Sequence, residues 1–192
     1  MYFDALEKIG FQKRGLLKDR IIATQKSQKD TAEDFKTALE RFREVVPNAG
    51  SKELEGRYSR LSSVVEKLVG RRDQVKTRIS RVENVADALF AEWKKELSQY
   101  QSDSLRSKSQ QQFDDTKVRY SEVRQALEAA YQKIDPALRP LQDQVLFLKH
   151  NLNASAISSL EGEKVEIAAE IADLIREIEK ASQKSESFIA QL

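Results

Sequence analysis

His150 has the side chain with the widest chemical repertoire in this chain, and it is the only histidine. Imidazole can bind a metal ion or transfer a proton near neutral pH. In di-iron four-helix bundles, two helices each carry a Glu-x-x-His pair, but the residue three positions before His150 is Phe147. We therefore expect no di-iron site, and we interpret His150 as a surface or helix-capping residue.

Nucleophilic catalysis is not indicated elsewhere in the sequence. The chain has no cysteine, which excludes disulfides, thiolate metal sites and cysteine nucleophiles. No pattern places a serine beside His150, and no glycine-rich turn is present to hold a phosphate or an oxyanion. We expect no enzyme activity and no cofactor.

A basic half of the second predicted helix is one candidate binding site. Between Arg57 and Arg81 only Glu66 and Asp73 offset the positive charge, so this surface could bind an anionic polymer or a membrane. The other interpretation is that carboxylates between positions 161 and 179 neutralise it at the same level of the bundle. Its outer positions have no aromatic residues, so we expect no specific nucleic-acid binding. The candidate residues are Arg57, Arg60, Lys67, Arg71, Lys76, Arg78 and Arg81.

Four consecutive apolar residues, Val145 to Leu148, form the other candidate site. A helix spreads four consecutive side chains around most of its circumference, so one helix face cannot bury them all. Either the bundle surrounds this turn, or Leu146 and Phe147 form a patch for a protein partner or for self-association. The candidate interaction residues are Asp143, Leu146, Phe147, Lys149, His150, Asn151 and Asn153.

Long helices must position both candidate sites. From Leu54 to Tyr100, apolar residues recur at steps of four and three, which predicts a helix with a coiled-coil-like seam. Only 6 Gly and 3 Pro occur in 192 residues, and good helix formers dominate the composition. We predict an all-α fold in which residues 1–192 form a single elongated domain.

Three breaks, near positions 50, 102 and 152, divide the chain into four helices of about 70 Å each at 1.5 Å per residue. Ser51 and Ser102 are the expected caps, and Asn151 to Asn153 is the expected third turn. Such lengths favour an antiparallel, up-down-up-down four-helix bundle whose last helix carries a seam from Ile157 to Leu192. The alternative is a helical bundle with a sharp turn at Asp135 and Pro136 and one long C-terminal helix.

Arg72 occupies a seam position of the second helix where an apolar residue is expected. The proposed turns bring Gln28, Asp135 and Glu170 to a similar height. A buried guanidinium needs a carboxylate partner, so we predict a polar layer in which Arg72 pairs with Asp135 or Glu170. The other interpretation is that Arg72 extends into solvent and Asp135 only caps a helix.

The overall charge does not favour nucleic-acid binding, because 33 basic side chains are nearly balanced by 31 acidic ones. No apolar run reaches the roughly 18 residues that a membrane span requires. The first 18 residues also lack the pattern of a signal peptide.

Three stretches resemble an uncharacterised bacterial family, domain of unknown function 2959. They are LEKIG at 6–10, VENVADALFAEW at 82–93 and, most specifically, DQVLFLKHNLNA at 143–154. The resemblance extends over almost the whole chain. Gly15 departs from the acidic residue that the family pattern has after Lys13 and Arg14.

The resemblance implies a place in the cell but no activity or catalytic residue. Many proteins similar to this family begin with a lipoprotein-type export signal, which implies a periplasmic domain tethered to a membrane near Tyr2. We therefore expect a structural or adaptor protein of the cell envelope. The alternative is a cytoplasmic protein with a native start at Met1.

Overall fold

The computed structural model describes the backbone of residues 2–45, 53–151, 160 and 162–192, and the side chains of the same residues from position 12 onward. This part of the chain contains five α-helices and no β-strand, which confirms the all-α prediction. The helices are α1 Tyr2–Val45, α2 Leu54–Leu97, α3 Asp103–Gln132, α4 Ile134–His150 and α5 Glu163–Gln191.

The five helices form four rods, because α3 and α4 follow one another with only Lys133 between them. Lys133 keeps helical backbone angles, with φ −82° and ψ −10°. Both helices pack against α2 and α5, so the chain keeps its direction across this junction. The predicted four-helix bundle is confirmed, and the alternative with a sharp turn at Asp135 and Pro136 is wrong. Pro136 lies in the first turn of α4, where its missing N–H leaves no helical hydrogen bond unmade.

The rods α1 and α2 run side by side in opposite directions. Lys13 pairs with Glu92 at 2.8 Å and Asp34 with Arg71 at 2.9 Å, so higher positions on α1 meet lower positions on α2. Both α2 and α5 pack against α1 and against the α3–α4 rod, which places α2 and α5 at diagonally opposite corners. Each candidate surface therefore lies on a rod that packs against two neighbouring rods.

The predicted boundaries agree with the structure where it describes them. The helix α2 begins at Leu54, the first residue of the seam, and Ser102 caps α3 by accepting a hydrogen bond from the Leu105 amide at 3.4 Å. Asn151 is the C-cap of α4. The expected cap Ser51, the rest of the third turn and the predicted start at Ile157 lie outside the described residues.

The expectation of four equal helices is only partly met. At 1.5 Å per residue, the 44 residues of α1 and of α2 extend about 66 Å each, whereas the 29 residues of α5 extend about 44 Å.

The seam of α2 is buried as predicted, and every buried side chain on this helix is apolar. The seam positions that depart from full burial are Tyr58, Arg72 and Tyr100. The interior of α1 is different, because Thr24, Gln28 and other polar side chains are buried there. The Gln28 amide donates a hydrogen bond to the Leu127 carbonyl at 3.0 Å, which ties α1 to the opposite rod.

Only part of the predicted polar layer is present in the structure. Arg72 Nη1 lies 3.4 Å from Asp135 Oδ1, so the predicted pair is present. The two side chains remain 30% and 43% exposed, however, so the pair lies at the edge of the bundle and not in its core. The nearer carboxylate is Asp73, at 3.0 Å from Arg72 Nε, and Asp73 is the largest cause of the raised pKa of Arg72. Gln28 and Glu170 take no part in this cluster.

Candidate functional site

The helical repeat of α4 determines which of its side chains face away from the bundle. Leu138, Leu141 and Leu148 are fully buried and face the bundle. Successive residues of an α-helix are turned by about 100°, so the two residues before Leu148 cannot share its direction. Leu146 and Phe147 therefore project away from the core although both are apolar.

The exposure of these two side chains distinguishes the alternatives left open by the sequence. Leu146 is 62% exposed and Phe147 is 38% exposed, while Val145 is half-buried. The expectation that the bundle surrounds this turn is wrong. Isolated apolar residues are common on protein surfaces, but an adjacent pair forms a small patch of the kind found at contacts.

The polar residues around this pair have no partners in the described chain. Asp143, Lys149 and His150 are exposed, and none of them forms an ion pair or a side-chain hydrogen bond with the described part of the chain. We name the set Asp143, Leu146, Phe147, Lys149 and His150 the α4 face. Its centre is apolar, and its charged side chains remain available to a partner.

The two predicted asparagines do not belong to the α4 face. Asn151 donates a side-chain hydrogen bond to the Phe147 carbonyl at 2.9 Å, so it caps the end of the helix. Asn153 lies outside the described residues.

The basic surface predicted on α2, here named the α2 cationic face, is partly neutralised by Asp34 of α1. Lys67 Nζ and Arg71 Nε lie 2.7 and 2.9 Å from its two carboxylate oxygens. Burial alone raises the pKa of Asp34, but the hydrogen bonds and charges of Lys67 and Arg71 outweigh it and hold the pKa below its usual value. One carboxylate shared by two cations still leaves a net positive charge.

Arg57 belongs to the structural part of this surface. Its guanidinium donates to the Glu44 carbonyl at 3.0 Å and to the Glu53 carboxylate at 3.1 Å. The side chain thus ties the first turn of α2 to the last turn of α1. Because these contacts and its burial hold Arg57 in place, it is poorly suited to binding an external anion.

The remaining members of the α2 cationic face make no ion pair with the described residues. They are Arg60, Lys76, Arg78 and Arg81. The carboxylates expected to neutralise them lie on the diagonal rod α5, where Asp173 pairs with Lys133 and Glu177 with Lys180. Among the described residues, the carboxylates of α5 therefore form no ion pair with the α2 cationic face.

Tyr120 lines a surface groove between α2 and α3 together with Glu83 and Asp87. Its hydroxyl is buried without a hydrogen-bond partner in the described chain. Burial, reinforced by the charges of Glu83 and Asp87, raises the pKa of Tyr120 well above its usual value. The site therefore favours the neutral phenol over the charged phenolate.

Two further properties concern the described residues as a whole. No group of three His, Cys, Asp or Glu side chains among them is placed to hold a metal ion. No helix in the described ranges is long and apolar enough to cross a membrane.

Sequence reasoning missed Asp34, the carboxylate that organises the α2 cationic face. Its role depends on the register between α1 and α2, which brings positions 34, 67 and 71 together. A signal was present in the sequence, because Asp34 directly precedes the seam residue Phe35 and so flanks the buried stripe of α1.

Comparisons with known proteins give one match. The family model described as "Protein of unknown function (DUF2959)" matches residues 2–192. Neither the curated proteins nor the solved structures contain a match to the chain.

Proposed function

This chain belongs to the DUF2959 family, whose function is unknown, and from that premise we propose that it is a non-enzymatic structural or adaptor bundle of the bacterial cell envelope. Its task in this proposal is to hold a protein partner at the α4 face. The observation that carries the proposal is the exposure of Leu146 and Phe147 on a helix whose other side is firmly packed.

A rigid support makes the α4 face suitable for binding. Three leucines, Leu138, Leu141 and Leu148, anchor α4 to the bundle, so the exposed pair needs no reordering before it meets a partner. Covering apolar surface stabilises a complex by about 25 cal/mol per Å². The free charges of Asp143 and Lys149 would add specificity more than affinity.

Placement in the cell envelope rests on family resemblance. Many proteins similar to this family begin with a lipoprotein-type export signal, and a tether near Tyr2 would leave the rods projecting from a membrane. Fractionation of cells that express the full-length gene tests this part separately. Recovery in the periplasmic or membrane fraction supports the placement, and recovery in the cytosol contradicts it.

Photo-crosslinking in cells tests docking at the α4 face. A benzoylphenylalanine residue placed at position 147 should join the chain to one defined protein on illumination. Val118 offers a control position, because it is an apolar residue that is more exposed than Phe147 but lies on α3. The product should be absent at position 118 and should decrease when Leu146→Ser is added. The same products at both positions, or none at position 147, would contradict the proposal.

A second candidate function is binding of an anionic polymer or membrane surface by the α2 cationic face. It is favoured by the free charges of Arg60, Lys76, Arg78 and Arg81, which no carboxylate of the described chain neutralises. Binding of this kind depends on the release of counterions and weakens steeply as salt rises.

Vesicles with about one third anionic lipid, and heparin as a polymer, test this second function. The double variant Arg78→Gln with Arg81→Gln should weaken binding about tenfold at low salt. Lys94→Gln with Lys95→Gln is the matched control, since both lysines are exposed at the far end of the same helix. Equal losses in the two variants would indicate a non-specific charge effect and contradict the assignment.

A further inference from the structure

The charges of the α4 face have a pattern that suits a second copy of the same face. Asp143 and His150 are seven residues apart, so two helical turns bring them to nearly the same side of α4. The step from Leu146 to Phe147 lies midway between them. The face therefore has an acidic group at one end, two apolar side chains at its centre, and His150 with Lys149 at the other end.

When a second copy of α4 lies antiparallel to the first and is centred on the same midpoint, the acidic end of each helix faces the His150 end of the other. In an antiparallel pair related by a two-fold axis, Asp143 of one protomer lies opposite the partner's His150, and the same contact recurs on the other side of the axis. Leu146 meets the partner's Phe147 at the centre. Arg139 falls one turn outside this pairing, opposite position 154, which lies outside the described residues.

We infer that the chain self-associates through an antiparallel α4–α4 contact in which two Asp143–His150 pairs flank an apolar centre. The inference rests on the proposed function and names its partner as a second copy. Charge complementarity selects this occupant, because the acidic end at Asp143 meets the partner's end that carries Lys149 and His150. None of these three side chains has a partner in the described chain, and the apolar pair between them is exposed.

The size of the α4 face sets the strength of the contact. A stable interface buries about 800 Å² on each partner, and one side of a 17-residue helix offers less than that. The dimer is therefore weak and reversible, with a Kd on the order of 100 μM.

Analytical ultracentrifugation of the purified chain between about 10 and 500 μM provides the first test. Wild-type protein should show a monomer–dimer equilibrium across this range. Phe147→Ser should remove it without lowering the melting temperature. Val118→Ser, which replaces a more exposed apolar residue on α3, should leave the equilibrium unchanged. A wild-type chain that stays monomeric at 500 μM overturns the inference.

Charge exchange tests the register of the pairing. His150→Glu places two acids opposite each other in both pairs and should weaken the dimer about tenfold, while Asp143→Lys should weaken it about threefold. A mixture of these two variants, and the double variant that carries both changes, should recover wild-type affinity. Failure of both recoveries would contradict the antiparallel arrangement even if a dimer forms.

The outcomes separate this inference from the proposed function. A monomeric chain whose position 147 crosslinks to a different protein overturns self-association and leaves the adaptor function standing. A dimer that follows the charge-exchange pattern supports the inference, whether or not a further protein is captured.

Discussion

The α4 face and the α2 cationic face are both exposed, but exposure has a different physical meaning on each. Fully burying a leucine or phenylalanine side chain stabilises a protein by roughly 1.5–3 kcal/mol, so Leu146 and Phe147 in solvent leave much of that free energy unused. Arg60 and Arg81 in solvent are well hydrated and lose nothing. An adjacent apolar pair is therefore stronger support for a binding surface than a row of cations.

The two surfaces also differ in how far the fold already uses them. On α2, Arg57, Lys67 and Arg71 hold contacts with α1 that stabilise the hairpin. On α4, the charged side chains of the face have no such role in the described chain. Substitutions can therefore separate stability from binding on α4 more cleanly than on α2.

The largest expected effect contrasts two leucines in the same turn of α4. Leu148→Ala should lower the free energy of unfolding by about 3 kcal/mol, because it leaves a cavity at a fully buried site. Leu146→Ala should change it by less than about 0.5 kcal/mol. Urea denaturation measures both. Similar losses for the two variants would mean that Leu146 belongs to the core and that the α4 face does not exist as a free surface.

Asp34→Asn should have opposite effects on stability and on anion binding. Loss of the shared carboxylate should destabilise the chain by about 1 kcal/mol at pH 7, since the pairs are only partly buried. It should also free Lys67 and Arg71 and so strengthen low-salt binding to heparin. Unchanged stability together with unchanged binding would show that Asp34 does not hold these cations.

The pH dependence of this variant follows from the pKa of Asp34. Its folded-state pKa lies below the ordinary value of 3.8, so the ionised group contributes stability that is complete above that value. The contribution is lost as the pH falls through the folded-state pKa. The stability difference between wild type and Asp34→Asn should therefore be constant from pH 7 to 5 and shrink below pH 3.8.

Asp135→Ala tests the ion pair between Arg72 of α2 and Asp135 of α4. A buried pair would make this change strongly destabilising, as the sequence suggested. The observed pair between Arg72 and Asp135 is longer, partly exposed and shared with Asp73. We expect a loss of about 0.5 kcal/mol, and a loss above 2 kcal/mol would indicate a buried layer after all.

The smallest effect is expected for Arg60→Gln and Arg81→Gln, each of which removes an exposed and unpaired charge. Thermal unfolding should show a change within about 0.5 kcal/mol for either variant. A larger loss would place these residues in the structural part of the α2 cationic face, beside Arg57.

Most of the fold could be predicted because α2 has a regular pattern. Its seam from Leu54 to Leu97 repeats at coiled-coil spacing, which demands covering helices on one side. The helix boundary at Ser102 could also be predicted, since a serine side chain can cap a helix.

The interior of α1 could not be predicted in the same way. Its seam carries Thr24 and Gln28 at buried positions. Polar residues at such positions look like surface residues until the partner that satisfies them is known. For Gln28 that partner is the Leu127 carbonyl, 99 positions away in the chain.

The α4 face was predictable as a set of alternatives and no further. The run from Val145 to Leu148 guaranteed that one helix face could not bury every member. Leu146 and Phe147 stay outside because Leu138, Leu141 and Leu148 are buried where α4 packs against α2 and α5. The network around Asp34 could not be predicted either, because it depends on the register between α1 and α2.

Thiol accessibility in cells is the most direct measurement of whether the α4 face is occupied. The chain has no cysteine, so Leu146→Cys and Val118→Cys each introduce a single thiol, at positions that are both 62% exposed. A small maleimide should label both thiols at similar rates in dilute purified protein. In cells, the rate at position 146 should fall several-fold relative to position 118, because a partner covers the α4 face. Equal labelling at the two positions in cells would contradict docking at this surface.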